Sequence, residues 1–167
     1  EKGVRAITCA RGLSLITVQG HGMIGVPGVA AKVFGAVARE GISVLMISQS
    51  SSEQNICFVV PRESAGKVLA ALESEFAAER QRQDIDAIFA QNNVGIVAVV
   101  GAGMKGTPGV AARVFGALGE RNINVICIAQ GSSEYNLSFV LDERDLDEAV
   151  RAVHEECQLG AVAVTRG

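Results

Sequence analysis

Residues 20–60 read GHGMIGVPGVAAKVFGAVAREGISVLMISQSSSEQNICFVV, and residues 101–141 read GAGMKGTPGVAARVFGALGERNINVICIAQGSSEYNLSFVL. The two stretches align without a gap at a constant offset of 81, with about 23 identities over 41 positions. An internal repeat is the first thing to establish, because missing it misassigns the whole architecture. Two copies are too few for a solenoid, which needs about three or more, so the pair predicts two similar small domains.

Each copy reads strand, helix, strand, strand, helix, strand. Ser14–Gln19 and Val94–Val100 are short apolar runs ending at glycine, the pattern of a strand entering a tight turn. A helix opens near Pro27 and Pro108, with Thr107 as N-cap and Pro108 at the first helical position. Val29, Val33 and Val37, with Ala30 and Phe34, form one apolar stripe, and Val110, Val114, Leu118, Ala111 and Phe115 repeat it. Gly41 and Asn122 stand where each helix ends, and both tolerate the left-handed backbone of a helix C-terminus. Second strands are expected at Ile42–Ile47 and Ile123–Ile128, hairpin turns at 50–53 and 131–134, and third strands at Ile56–Val60 and Leu137–Leu141. Second helices follow at Glu63–Arg80 and Glu143–Glu156, with Ile85–Phe89 and Ala161–Val164 as closing strands. This order is α+β: two ferredoxin-like βαββαβ units, each an antiparallel sheet with helices on one face. The second strands are apolar at both parities, whereas a sheet covered on one face should alternate. The uncovered face therefore requires a partner surface, and a homodimer or larger assembly is expected.

The whole chain has 167 residues, 49% hydrophobic and 20% charged, with a formal net charge of −3. No basic field points to nucleic acid or to an anionic membrane surface, and no apolar run approaches the ~18 residues of a membrane span. The first residues carry neither an initiator Met nor a signal-peptide core, which reads as a soluble piece of a longer chain or a protein behind a removed tag. Cys9, Cys57, Cys127 and Cys157 lie far apart without a CxxC pair, which favours reduced buried thiols over zinc or a disulfide framework.

Gly20-x-Gly22-x-x-Gly25 and Gly101-x-Gly103-x-x-Gly106 spell a dinucleotide fingerprint between strand and helix. The fingerprint also wants an acid at the end of the second strand, where Gln49 and Gln130 stand instead. The second strand is followed by a hairpin rather than a crossover helix, so this reading is the weaker one. A helix N-terminus still offers unpaired N–H groups and partial positive charge to a carboxylate. Glycines at 22, 25 and 28, and at 103, 106 and 109, would let backbone approach a small ligand, and each Gln amide adds donors and an acceptor. A tight turn without ligand is the alternative for the loops, and a Gln bonded to turn backbone for the strand ends. Glu53, Asn55, Glu134 and Asn136 suit hairpin turns. Lys32, Arg113 and the stretch 79–84 read as solvated surface, and neither His21 nor His154 has the partners of a catalytic group.

The strings GMxGxPGVAAxVFGAL, INVxxIAQGSSEYNLSFVL and ISVLMISQSSSEQNICFVV resemble the tandem ACT domains of aspartate kinases, in the threonine-sensitive, bifunctional aspartokinase–homoserine dehydrogenase branch. The resemblance implies a first unit over 14–90 and a second over 91–167, with residues 1–13 supplying an N-terminal strand that completes the second. It implies effector contacts from Met23, Gly25, Pro27, Gly28 and Val29, from Met104, Gly106, Pro108, Gly109 and Val110, and from Gln49, Gln130 and the strand residue Asn124. Gly25 and Gly106 stand where many relatives have Asp. Ser43 replaces Asn in the first copy.

The function so implied is binding of an end-product amino acid, threonine first, for allosteric feedback inhibition of aspartate phosphorylation. The alternatives are a lysine-sensing region of a monofunctional aspartokinase and an effector-free ACT dimerisation module. No catalytic residue, metal site or cofactor is expected in this length. A parent kinase would use ATP and Mg. The implied partners are an amino acid, the kinase domain of the parent chain or an alpha subunit, and a second copy of this chain, in the cytoplasm, with no nucleic acid and no membrane.

Overall fold

The computed structural model describes residues 3–24, 26–49, 54–102, 109–130, 136–157 and 164–166. In chain order these form β1 (Gly3–Gln19), α1 (Val29–Arg39), β2 (Met46–Gln49), β3 (Asn55–Pro61), α2 (Ala65–Glu75), α3 (Ala77–Gln81) and β4 (Ala87–Ala102). They continue as α4 (Val110–Glu120), β5 (Val125–Gln130), β6 (Asn136–Asp142), α5 (Leu146–Cys157) and β7 (Val164–Arg166). The chain divides into two compact units, Leu13–Asn92 and Glu1–Gly12 with Asn93–Gly167. Gly12 and Asn93, at the two division points, have left-handed φ of 67° and 59°.

The first unit has strand order β2-β3-β1-β4. Leu13–Gln19 of β1 runs antiparallel to β3, with Ile16 opposite Phe58 and Val18 opposite Ile56. Asp86 N donates to Gln19 O at 2.7 Å, which brings the start of β4 to the other side of β1. Helices α1 and α2 bury Val33, Ala36, Val37, Val68 and Leu72 against Ile16, Val18, Ile56, Phe58 and Val60. In the second unit the order is β5-β6-β4-β1, and β7 adds in parallel to Ile7–Cys9. Gly95 of β4 lies so close to β1 that a Cβ would sit 3.0 Å from Ala10 O. The core there joins Ile7 and Cys9 to Val97, Val99, Phe139 and Leu141, under Val114, Leu118, Leu146 and Val153.

The repeat is visible in packing detail. Phe34 meets Phe58 edge-on at 5.4 Å and 67°, and Phe115 meets Phe139 at 5.5 Å and 70°. Such edge-to-face pairs contribute about 0.5–1.5 kcal/mol beyond area burial. Gly41 (φ 70°) and Asn122 (φ 55°) close the two helices in the left-handed conformation the sequence required.

Several boundaries differ from expectation, each for a local reason. The N-caps are Gly28 and Gly109, at φ 86° and 88°, so α1 and α4 start at Val29 and Val110 rather than at the prolines. Ala30 is exposed, and Ala36 takes the buried place beside Val33 and Val37. The second strands begin later, because Ile42, Val44 and Ile123 pack under the helices before the ladder forms. In β5 the register steps from Val125 opposite Leu141 to Cys127 opposite Val140. The extra residue of such a bulge reverses which face the following side chains take, so one run can be apolar at both parities without a partner protein. The helix expected over 63–80 breaks at Phe76 into α2 and α3. The strand at the chain end is β7, parallel to β1, and residues 161–163 lie outside the described residues, as do the hairpin turns at 50–53 and 131–134.

On the sheet face away from the helices, Leu15, Met46 and Val59 are buried. Among described residues, the large apolar side chains left exposed are Ile24, Val26, Leu45, Ile47, Phe89 and Ile128. All four cysteines are free thiols. No helix among the described residues is long and apolar enough to cross a membrane.

Candidate functional site

The loop between β1 and α1 is held by backbone contact. Gly20 N donates to Gln54 O at 2.9 Å and Gly22 N to Asp84 O at 3.1 Å. A Cβ at Gly20 would sit 2.3 Å from Asp84 O, and one at Gly22 would sit 2.5 Å from Asp84 Cα. The first two glycines of the motif are therefore required by a chain-to-chain approach. Gly22 also lines the cavity described below, so this close approach is a second demand on the position beside the ligand approach expected for it. Gly28 has open space around its Cβ position and is required by its left-handed φ instead.

That φ sets up the start of α1. Lys32 N makes the first helical bond, to Gly28 O at 3.0 Å, so the amides of residues 29–31 have no intrahelical acceptor. No side chain caps this end, and its first turn holds no acid. In α4, Arg113 N bonds Gly109 O at 2.8 Å, again with no side-chain cap and no acid in the first turn. Both helices thus present uncompensated positive partial charge.

A cavity of about 240 Å³ opens at the N-terminus of α1. Gly22, Met23, Val26, Pro27, Gly28 and Val29 form one side. Lys32, Phe76, Glu79, Arg82, Asp84 and Ile85 form the other. Phe76 interrupts the helix and turns Glu79 toward α1. Lys32 Nζ bonds Glu79 Oε1 at 2.7 Å and lies 4.9 Å from the Phe76 ring centre. Arg82 Nε bonds Asp84 Oδ2 at 3.0 Å, with its Nη2 3.9 Å from Glu79 Oε1. The hydrogen bond from Lys32 holds the Glu79 carboxyl below its ordinary range, helped by backbone hydrogen bonding and by the charges of Lys32 and Arg82. Glu79 Oε2 is buried and has no hydrogen-bond partner among the described residues.

Of the residues expected to bind an effector, the structure brings Met23, Pro27, Gly28 and Val29 together around this cavity. Gly25, Met104, Gly106 and Pro108 lie outside the described residues. Gly109 caps α4, and Val110 packs on the second core. Gln49 stands opposite Ile56 and Gln130 opposite Leu137 at the ends of their strands; their side chains lie outside the described residues. Asn124 is exposed and precedes β5, rather than lying in a strand as expected. Asn55 Oδ1 is buried without a partner among the described residues, and the hairpin turn at 50–53 that Asn55 is expected to serve lies outside them.

Sequence reasoning missed the charged wall. Lys32 is paired and stacked, and Glu79, Arg82 and Asp84 line a cavity, where a solvated face was expected. The available signal was asymmetry: carried forward by 81, Glu79 falls on Gly160 and Asp84 on Thr165. Arg113, also expected to be solvated, bonds Glu156 O at 2.6 Å and Glu156 Oε1 at 3.3 Å. His21 Nδ1 lies 3.0 Å from Asp86 Oδ2 at an exposed position, with no nucleophile in that pair. No group of three or more His, Cys, Asp or Glu side chains suited to a metal ion occurs among the described residues.

The ACT domain family profile matches residues 16–76 and 97–157. The chain is 42% identical, over all 167 residues, to a chloroplastic bifunctional aspartokinase/homoserine dehydrogenase of Daucus carota, of which it spans 18%. It is 44% identical over 152 residues (91% of this chain) to the bifunctional aspartokinase/homoserine dehydrogenase of Haemophilus influenzae, of which it spans 19%. The regulatory subunit of aspartate kinase from Thermus thermophilus has the same fold, with a TM-score of 0.75 and 30% identity over 90% of this chain and 95% of that one. The chain belongs to the ACT domain family, as a tandem pair of ACT domains of the aspartate kinase regulatory type.

Proposed function

We propose that this pair of ACT domains binds an end-product amino acid and thereby controls the aspartate kinase activity of the full-length protein. The observation that carries the reading is the N-terminus of α1, whose first-turn amides lack both helical acceptors and a side-chain cap and open onto a cavity of amino-acid size. A carboxylate satisfies those amides and the helix dipole together. Threonine is the first candidate effector, on the resemblance of the repeat motifs to the threonine-sensitive bifunctional branch, and two bifunctional aspartokinase/homoserine dehydrogenases are among the matched relatives; lysine is the alternative. Gln49 and Gln130 would add amide contacts from the strand ends. The partners are then the kinase catalytic domain, which brings ATP and Mg, and a second copy of this chain in the cytoplasm. The effector acts by binding one arrangement of the domains better than another, and the shift equals that difference in affinity. A second reading, an effector-free dimerisation module, is favoured by Leu45 and Ile47, half exposed at the edge of the first sheet.

A thermal-shift series on the full-length protein separates the two readings. L-Threonine at ~100 times its dissociation constant should stabilise by about 2.7 kcal/mol and raise the melting temperature. No shift with threonine, lysine, methionine or isoleucine leaves the dimerisation module standing.

A further inference from the structure

We infer that the turn between α3 and β4 is a latch that opens and closes as one body with the β1–α1 loop, and that Arg80 is the positioning residue that fastens it. The inference goes beyond the effector reading and does not depend on it.

Two segments about sixty residues apart in the chain meet here through their backbones. Gly22 N donates to Asp84 O at 3.1 Å, and in the opposite direction Asp86 N donates to Gln19 O at 2.7 Å. The approach leaves no slack, since a Cβ at Gly20 would sit 2.3 Å from Asp84 O and 2.7 Å from Ile85 Cα. A side-chain contact ties the same segments, with His21 Nδ1 3.0 Å from Asp86 Oδ2. If residues 84–86 move away, the amides of both segments lose their acceptors together.

The turn is shaped by its own contacts. Arg80 Nη1 donates to Asp86 O at 2.5 Å and to Ile85 O at 3.4 Å, while Arg80 Nε donates to Glu73 Oε2 at 3.3 Å. Glu73 of α2 thus anchors a guanidinium that draws in the last carbonyls before β4. Asp84 N and Ile85 N both donate to Glu79 O, at 2.9 and 3.3 Å. The bend falls on Gln83, whose φ of 64° is left-handed, a costly backbone for a residue with a Cβ. Ile85 reaches the first core, but residues 81–83 and 86 are exposed. Segments with few buried contacts open locally while the core stays closed. β1 ends at Gln19 and β4 begins at Ala87, and both strands run on into the second unit. The latch therefore joins the loop leading into α1 to the strands that the two units share.

Residue-resolved amide exchange on the full-length protein tests the inference without any ligand. In wild type the amides of Gly22 and Asp86 should show the same protection factor and the same sensitivity to denaturant, as members of one opening unit do. Arg80→Met, which keeps the aliphatic stem and removes the donors, should lower both protection factors about tenfold and leave the β3 amides unchanged. Arg80→Lys, which keeps one charged donor, should restore part of that loss. Gln83→Gly, which relieves the left-handed strain, should raise both protection factors, and it carries the test if Arg80→Met folds poorly. Unequal protection of Gly22 and Asp86 in wild type overturns the inference. So does a variant that moves Asp86 without Gly22, or an equal fall across β3, which would mark Arg80 as a contributor to global stability only.

Discussion

Glycines that look alike in the sequence serve different physical ends in the loop and the helices. Gly22 has no room for a methyl group against the Asp84 backbone, so Gly22→Ala should cost roughly 1–3 kcal/mol through overpacking. Gly116, inside α4 with nothing near its Cβ position, should gain ~0.5–1 kcal/mol as alanine. Chemical denaturation of the two variants checks both signs. Glu79 gives a pH test. Its carboxyl sits below the ordinary value of 4.5 because Lys32 donates to it. The unfolded state therefore binds that proton first, and the stabilisation is complete above the unfolded value and lost as pH falls through the folded one. Acid titration of stability should fall less steeply below pH 4.5 in Lys32→Met than in wild type; identical slopes would contradict the pairing. The left-handed closures at Gly41 and Asn122 were legible from residue type alone, because few residues adopt that backbone. The role of Gly22 was not, since the atom that excludes a Cβ comes from a segment about sixty residues away in the chain.

At the scale of elements, the break between α2 and α3 matters most for the site. Phe76 is buried in the first core at the break, and the Lys32 ammonium lies over its ring. Phe76→Ala should cost about 3–5 kcal/mol and also free Lys32 and Glu79, so its denaturation midpoint should fall well below that of Lys32→Met. The sequence shows why the break was missed: residues 63–80 keep a helical apolar period through Val68, Leu69, Leu72 and Phe76, and local pattern cannot report a change of helix axis. The bulge in β5 was hidden likewise. An apolar run at both parities fits a buried face, a bulge, or both, and only the register distinguishes them. Strand and helix types were readable throughout, because period and turn residues agree; the edges moved where packing against helices replaced ladder pairing at Ile42, Val44 and Ile123.

For the whole molecule, duplication followed by divergence is the main lesson. The two copies share helix caps, aromatic pairs and helix starts, yet the carboxylate paired with the cation of the first helix comes from different places, Glu79 of α3 for Lys32 and Glu156 at the end of α5 for Arg113. The strands β1 and β4 each contribute to both units, so a change in either unit has a continuous backbone route to the other. The duplication was legible because identity at a fixed offset needs no structural knowledge. The charged cavity was not, because one of its walls, residues 76–85, lies outside the stretch that the repeat aligns. The most direct measurement is amide hydrogen exchange across residues 29–31 in the full-length protein, with and without saturating L-threonine. Those amides should become strongly protected when the carboxylate caps them. Unchanged exchange at 29–31 under saturating ligand would contradict binding at the start of α1.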